Sequence, residues 1–522
     1  MAGSSPAIRT ESSTTPGRRG LVAPLALIAA LVGIPLLLSV VTGAWAIPHN
    51  DAWSHARIAE TFAQTGRIEL VGWNRSALIG QVVILGPLGA SVVAQHLSVA
   101  VWAVIALASI YLILLPRVGR TIALWSLAAI GVTAEFTLLS TSFMTDIPML
   151  GGVMASLAMM DRATRSGRLG WYTGALVFTL WATTVRDTAV AAFVAVIVIG
   201  QITWRGSQRR SALAIAALAV VALTVFQVWR RALPDNSSPW LAFTPGLTVK
   251  SLLLAALACG LILAPVIVLV VRPRTWPARS WVAGGAVLLL GLAWVALRGA
   301  DAVFGNYLTT RGAYPTVFST TPEVIPPWVL VALAVAGTVA TALATGHLAA
   351  LRPSIDVAAG TFGALLLATT FGPSLLSQEI FARGVLPLLP FVVILLGRHV
   401  VGRSVALAAT LLAATGVVTL LVTLQAMALD VARWSFAESL VAKGWPATAI
   451  DAGLEWNGTH AEGAFALGDP LPVCPNPGAT DQGVVITADA GSAEPIAQWN
   501  YRTFAVGDFS TLYAVPGPAC QG

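Results

Sequence analysis

Long apolar runs recur along almost the whole chain, and they constrain the fold more than any other feature. Crossing a hydrocarbon core of roughly 30 Å takes about 20 helical residues, and about thirteen runs approach that length. Of the 522 residues, 57% are hydrophobic and only 10% are Asp, Glu, Lys or Arg, which is far from the composition of a soluble domain. We therefore predict an all-α polytopic membrane protein with about thirteen transmembrane helices.

Charged residues or clusters of Pro and Gly separate the apolar runs. The predicted spans are 21–44, 94–115, 121–138, 147–160, 171–185, 188–203, 211–229, 248–271, 280–297, 328–349, 356–376, 385–397 and 404–428.

Basic residues alternate from one loop to the next, which predicts the orientation of the chain. The N-terminal tail carries Arg9, Arg18 and Arg19, and every second loop after it is basic, beginning with Arg117 and Arg120. Lys and Arg near helix ends are retained in the cytoplasm. We therefore place the chain in the cytoplasmic (plasma) membrane, with the N-terminus on the cytoplasmic side and the C-terminus on the outer side. The net charge of +7 then reflects topology, and we expect membrane lipids around the chain and no nucleic-acid partner.

The spans and loops divide the chain into predicted regions. The apolar run from Leu21 to Ala44 is longer than the apolar region of a signal peptide, which favours a retained helix. The regions are a disordered cytoplasmic tail (1–20), a transmembrane domain (21–428) with a first external loop (45–93) and a possible external lid (298–327), and an external C-terminal α/β domain (429–522).

The first external loop contains two predicted helical pieces. Asp51 to Gln64 has helical spacing, with Asp51 or Asn50 as its cap and Gly66 as its end, and it is typical of a helix lying along the membrane interface. Ala77 to Val93 is rich in Gly and Pro, which favours a broken, re-entrant or interfacial helix.

The C-terminal region is more polar and predicts a small soluble domain. Asp430 to Ala442 is amphipathic and helical, and the predicted short strands are Val484 to Thr487, Tyr501 to Val506 and Thr511 to Val515. Cys474 and Cys520 fall in this region, where an oxidising compartment would allow a disulfide between them; two unpaired cysteines are the alternative.

Four groups of charged residues fall at the predicted outer ends of helices. Ionisable groups cost roughly 2.5 to 3.5 kcal/mol each at the centre of a membrane helix and are usually functional, although the cost falls towards the helix ends. The groups are Asp51, Asp146 within Thr145-Asp146-Ile147-Pro148, the pair Arg186-Asp187, and the stretch Gln378-Glu379-Ile380-Phe381-Ala382-Arg383.

Each group also has a structural interpretation. Asp51 and Asp146 are placed to cap helix N-termini, and Arg186 and Asp187 could pair with neighbours. Glu379 and Arg383 could form a surface salt bridge across one turn. His55, one turn beyond Asp51, is more typical of packing than of catalysis.

Taken together, these features resemble polyprenyl-phosphate-dependent glycosyltransferases of the GT-C fold. The resemblance rests on the Asp after the first helix, the interfacial helix behind it, the Thr-Asp-x-Pro turn, the Arg-Asp pair, and the stretch from Arg383 to Pro390 that enters a late helix. Over residues 20–400, the layout of the chain is similar to that of protein O-mannosyltransferases and lipid A aminoarabinose transferases. The chain thus resembles glycosyltransferase family 39.

The resemblance implies a reaction and a set of roles. A sugar carried on a polyprenyl phosphate would be transferred, with inversion, to a hydroxyl of an acceptor glycan, lipid or protein. Asp51 would be the general base, with Asp146 orienting the acceptor or supporting Asp51. Arginines would bind the phosphate leaving group. The candidate substrate-binding residues are Arg383, Arg186, Asp187, Arg57, Arg75, His55 and Glu379.

The chain departs from the family pattern in the first external loop. Asn50-Asp51 stands where a paired acidic motif is common, and Trp73-Asn74-Arg75 does not match the usual aromatic-Pro pattern. No Asp-x-Asp sequence occurs, which weakens the case for an obligatory metal, and we predict no cofactor. The alternative function is a secondary transporter or flippase, whose ionisable residues would lie near the bilayer midplane in two related halves.

Overall fold

The computed structural model describes residues 18–71, 79–233, 243–302, 308–312, 323–351, 355–376, 381–397, 404–460, 482–504 and 509–519. Its helices are α1 (Arg18–Thr42), α2 (Ala52–Thr65), α3 (Ile79–Leu85), α4 (Val92–Gly131), α5 (Ala134–Leu139), α6 (Asp146–Ser166), α7 (Leu169–Val185), α8 (Val190–Thr203), α9 (Gly206–Arg231), α10 (Pro245–Val270), α11 (Ala278–Arg298), α12 (Pro327–Ala350), α13 (Val357–Phe371), α14 (Leu389–Leu396), α15 (Val405–Ala442) and α16 (Leu454–His460). Its strands are β1 (Ile450–Asp451), β2 (Gln482–Thr487), β3 (Ala497–Arg502) and β4 (Phe509–Ala519).

Apolar helices dominate this fold, which confirms the predicted all-α polytopic class. Within the described residues, 8 helices are long and apolar enough to cross a membrane. They include α1, α4, α9 to α13 and α15, and the chain is accordingly a multi-pass membrane protein. Large side chains such as Leu218, Leu289 and Leu297 are exposed on these helices, as expected of surfaces that face lipid.

The predicted count of about thirteen spans is not confirmed. The predicted spans 94–115 and 121–138 both lie within or close to α4, which bends at Gly119, where φ is 79° and ψ is 166°. Glycine adopts this positive φ without the steric penalty that a Cβ brings. The segments in α7, α8 and α14 are helical but are not among the eight long helices, in which α13 is counted together with the 3-10 turn that continues it to Leu376.

One extensive apolar core holds the site in place. Helix α6 packs against α4 and α7, and α13 packs against α8. The fully buried side chains of this core include Phe136, Phe143 and Tyr172. The first turn of α6 and the last turn of α7 therefore lie side by side, because the two helices are consecutive, antiparallel neighbours joined by a short loop.

The two helical pieces predicted between residues 45 and 93 are present in the fold. Helix α2 runs from Ala52 to Thr65 and ends at Gly66, whose φ is 69°. Ile79 to Ala90 forms a short α-helix followed by a 3-10 turn, in agreement with a broken helix. Half of the predicted lid between residues 298 and 327, namely 303–307 and 313–322, lies outside the described residues.

Helix α15 continues without a break from the predicted last span into the amphipathic stretch that begins at Asp430. After it come α16 and a mixed four-stranded sheet of order β1-β2-β4-β3, in which β1 and β2 are parallel and the other pairs antiparallel. β2 and β4 contain the predicted strands Val484 to Thr487 and Thr511 to Val515, whereas β3 overlaps the predicted strand Tyr501 to Val506 only at Tyr501 and Arg502. Cys474 and Cys520 lie outside the described residues.

Candidate active site

Asp51 stands immediately before α2, in the position of a helix cap, but its side chain does not cap the helix. Within the described part of the chain, no hydrogen bond to its carboxylate is found. Asn50 precedes it with a φ of 50°, and the Asn50 Oδ1 atom accepts a hydrogen bond of 2.7 Å from the Asp51 N–H. The capping interpretation therefore does not account for this carboxylate, which is left available for another partner.

Asp146 begins α6 and likewise makes no cap, because its carboxylate faces the end of α7 instead. The Nη1 atom of Arg186 donates to Oδ1 of Asp146 at 2.5 Å and to Oγ1 of Thr145 at 3.1 Å. Asp146 is buried, and its Oδ2 atom has no hydrogen-bond partner among the described residues. A buried carboxylate oxygen without a partner is costly, so it marks a place where a ligand can donate a hydrogen bond.

Arg383 brings a second guanidinium to the same carboxylate. Its Nε atom lies 3.6 Å from Oδ1 of Asp146, and its guanidinium lies 5.0 Å from the centre of the Phe381 ring. Arg383 belongs to the 3-10 segment Ala382–Leu388 that leads into α14. Asp146 thus holds two arginines that come from distant parts of the sequence.

Asp51 and His55 lie within electrostatic reach of this group. Burial raises the pKa of the Asp51 carboxyl above its ordinary value of 3.8, with a further rise from Asp146 and opposing effects of Arg383 and Arg186. Burial lowers the pKa of His55 to about 3, so this imidazole is neutral. Its Nδ1 atom is buried and has no hydrogen-bond partner among the residues that the structure describes.

A cavity of about 170 Å³ opens beside the two arginines. Asp146, Arg186 and Arg383 form its polar side. The rest of the lining comes from α6, from α13 and the 3-10 turn after it, from Thr188 beside Arg186, and from the chain between Phe381 and Pro387: Met149, Thr188, Leu366, Thr369, Thr370, Pro373, Phe381, Gly384, Leu386 and Pro387. Such a cavity suits a ligand with an anionic head and an apolar tail, because cations stand at one side and apolar walls at the other.

The remaining predicted site residues do not join this group. Asp187 is half-exposed and accepts from Nη1 of Arg230 at 2.7 Å. Arg57 donates to the carbonyl oxygen of Gly458 at 2.9 Å and does not line the cavity. Arg75 and Glu379 lie outside the described residues.

No sequence pattern singles out two of the three threonines of the cavity. Thr369 and Thr370 lie in apolar surroundings where Thr is common in membrane helices, so nothing in the sequence distinguishes them from packing residues. Thr188 directly follows the Arg186-Asp187 pair, which is the signal that points to it. Among the described residues, no group of three or more His, Cys, Asp or Glu side chains is arranged to hold a metal ion.

Residues 84–230 match the family model described as dolichyl-phosphate-mannose-protein mannosyltransferase. The match confirms, for this part of the chain, the predicted resemblance to polyprenyl-phosphate-dependent glycosyltransferases. The matched residues contain Asp146, Arg186 and Asp187, whereas Asp51 and Arg383 lie outside them. No curated protein sequence matches the chain.

Remote likenesses to solved structures extend over almost the whole chain. ArnT from Cupriavidus metallidurans in the apo state is 13% identical, with a TM-score of 0.42, and 94% of this chain and 98% of that chain are covered. The same protein bound to undecaprenyl phosphate is 14% identical, with the same coverage and a TM-score of 0.40. The arabinosyltransferase EmbB from Mycobacterium smegmatis is 14% identical, with a TM-score of 0.38, and the likeness covers 92% of this chain and 53% of EmbB.

Proposed function

We propose that this protein is a membrane glycosyltransferase that moves a sugar from a polyprenyl-phosphate donor to an acceptor hydroxyl, with inversion at the anomeric carbon. The reaction takes place at the outer face of the cytoplasmic membrane, where the acceptor is a glycan, a lipid or a protein. The family match over residues 84–230 supports the donor class, since dolichyl phosphate is itself a polyprenyl phosphate.

The observation that carries the proposal is the cavity lined by Arg186 and Arg383 with Asp51 in electrostatic reach of both. A phosphate placed between these guanidiniums gains charge-assisted hydrogen bonds, and its polyprenyl chain can lie along the apolar walls. The same arginines stabilise the charge that develops on the phosphate as the glycosidic bond breaks.

Asp51 serves as the general base in this proposal. Its carboxylate takes the proton of the acceptor hydroxyl while the hydroxyl oxygen attacks the anomeric carbon. The bond between that carbon and the phosphate oxygen breaks, and polyprenyl phosphate leaves with the bonding electrons. A raised pKa suits this role, because a base is most effective when its pKa lies nearer the working pH.

Asp146 has two tasks in the proposed site. Its Oδ1 atom orients Arg186 and Arg383, and its Oδ2 atom, which has no partner among the described residues, accepts a hydrogen bond from a sugar or acceptor hydroxyl. The neutral imidazole of His55 offers a further donor or acceptor without adding charge.

The test is turnover of defined donors by the purified protein in lipid nanodiscs. A panel of polyprenyl-phosphate sugars is offered with glycan, lipid and peptide acceptors, and released polyprenyl phosphate is measured. We expect turnover by the wild type and a loss of about 10²- to 10⁴-fold in Asp51→Asn, which cannot accept the proton. Glu60→Gln is the matched control, because Glu60 is an exposed acid on the same helix α2.

Two results would overturn the proposal. The first is a wild-type protein that releases polyprenyl phosphate from none of the donors, and the second is Asp51→Asn with full activity and an unchanged melting temperature. The anomeric configuration of the product, read by NMR, tests inversion separately. Saturable solute exchange in vesicles, without turnover, would favour the transporter alternative.

A further inference from the structure

The backbone that carries Asp51 is held from the far end of the chain. The N–H of Asn50 donates to Oε1 of Glu455 at 2.9 Å, and both residues are buried. They are 405 positions apart. The residue next to Asp51 is therefore fixed by α16, which follows the last long helix.

A buried network extends this anchor to His49. Arg433 on α15 contacts Oε2 of Glu455 at 3.4 Å and Oδ1 of Asp430 at 2.5 Å. The Oδ2 atom of Asp430 lies 2.9 Å from Nδ1 of His49. The two residues that precede Asp51 are thus tied to two carboxylates, and one arginine joins those carboxylates to each other.

Helix α2, which follows Asp51, also contacts α16. Nη1 of Arg57 donates to the carbonyl oxygen of Gly458, and Gly458 lies so close to the Trp53 ring that a Cβ atom at this position would overlap the ring. Contacts with α16 therefore hold the chain on both sides of Asp51.

These backbone contacts determine where the Asp51 carboxylate lies. Among the described residues its carboxylate has no hydrogen-bond partner, so its position follows from the backbone at residues 49 to 52. That backbone is in an uncommon conformation, since Asn50 has a positive φ, and such turns persist when surrounding contacts determine them.

We infer that Glu455 and Asp430, joined through Arg433, are positioning residues for Asp51. The inference rests on the proposed function, because it concerns the placement of the proposed base. General-base catalysis needs the carboxylate within hydrogen-bond reach of the acceptor hydroxyl, and a misplacement of about 1 Å can lower the rate about 10²-fold. Loosening the network then lowers kcat while the phosphate site, built from Arg186 and Arg383, still binds the donor.

The first measurement separates kcat from KM. Glu455→Ala removes the acceptor of the Asn50 N–H, and we expect kcat to fall about tenfold or more with the donor KM changed less than twofold. Glu455→Gln keeps an acceptor oxygen but loses the pairing with Arg433, so its kcat should lie between those of the wild type and Glu455→Ala. Glu494→Ala, an exposed acid beyond β2, is the matched control and should behave as wild type.

The second measurement does not depend on activity. Hydrogen–deuterium exchange of peptides covering residues 48–56 should be faster in Glu455→Ala and in Asp430→Asn than in the wild type, and unchanged in Glu494→Ala. If Glu455→Ala does not fold, Glu455→Gln and Asp430→Asn give the same comparison with milder changes.

The outcomes distinguish a failure of the positioning role from a failure of the proposed function on which it rests. A wild type that turns over no donor overturns the proposed function. An active wild type whose kcat and exchange near Asp51 are both insensitive to Glu455→Ala overturns the positioning role alone. A fall in donor affinity that accounts for the whole loss of activity would also contradict it, since the phosphate site would then be what changed.

Discussion

The Nη1 atom of Arg186 lies 2.5 Å from Oδ1 of Asp146, although one residue follows the last turn of α7 and the other begins α6. Asp146 is buried, and the Arg186 side chain is about a quarter exposed. The pair offsets part of the cost of burying the Asp146 carboxylate. It also aims the Arg186 guanidinium at the cavity that Arg383 borders.

The losses of stability from changing the two members of this pair should not be additive, because either single change already removes their interaction. Arg186→Gln leaves Asp146 with Arg383 alone, and breaking a buried pair costs about 3 to 5 kcal/mol. The double variant Asp146→Asn/Arg186→Gln should lose less than the sum of the single changes. Unfolding in mixed micelles measures this, with the exposed Arg231→Gln as control. Strictly additive losses would show that the two side chains do not interact.

The pH dependence of turnover should report the surroundings of Asp51. Burial raises the pKa of this carboxyl above 3.8, and the base must be ionised, so kcat/KM should fall as the pH drops through that raised pKa. Arg186 lowers the pKa and Asp146 raises it. Arg186→Gln should therefore move the acidic limb to higher pH, and Asp146→Asn should move it to lower pH. Shifts of the same sign in both variants would contradict this arrangement.

The sequence predicts the helices well, because apolar length and the membrane thickness together dictate them. It predicts less well where they end. The predicted end of the last span at residue 428 rested on a change from an apolar to an amphipathic pattern. Such a change alters what a helix faces and leaves its backbone hydrogen bonds intact. With only Gly416 as an interruption, α15 continues to Ala442.

The sequence predicts which residues are candidates for the site, but it does not predict the contacts between them. Charge at predicted helix ends makes Asp51, Asp146, Arg186 and Arg383 candidates, but it does not separate them from Asp187. Which helix ends adjoin is decided by packing of the whole bundle, so no local pattern reveals that two arginines share Asp146. The same holds for Glu455, whose partner Asn50 is 405 residues away.

A second ion-pair network, in which Asp161 is buried and Asp356 is exposed, should make Arg117 important for stability. Its Nη2 atom donates to Oδ1 of Asp161 at 2.8 Å, and its Nε atom donates to Oδ2 of Asp356 at 2.6 Å. It thereby joins α4 to α6 and to the start of α13. Arg117→Gln leaves the buried Asp161 poorly compensated and should cost about 3 kcal/mol or more.

The control for this change is Arg120→Gln, on the exposed side of the same helix. This substitution should not change the melting temperature, because exposed charges contribute little to stability. Equal melting temperatures for Arg117→Gln and the wild type would mean that the network adds nothing to stability.

Gly458→Ala should disturb the contact between α16 and α2 through sterics alone. The added Cβ would overlap the Trp53 ring, which is fully buried and has little room to move. Overpacking of this kind costs typically about 1 to 3 kcal/mol, so the melting temperature should fall. Because Trp53 lies two residues after Asp51, kcat should fall as well, with the donor KM less affected.

Gly170→Ala is the matched control, since a Cβ at Gly170 in α7 meets nothing within 4 Å and alanine favours the helix. If Gly458→Ala and Gly170→Ala behaved alike in both stability and kcat, the contact between Gly458 and Trp53 would have no part in placing Asp51.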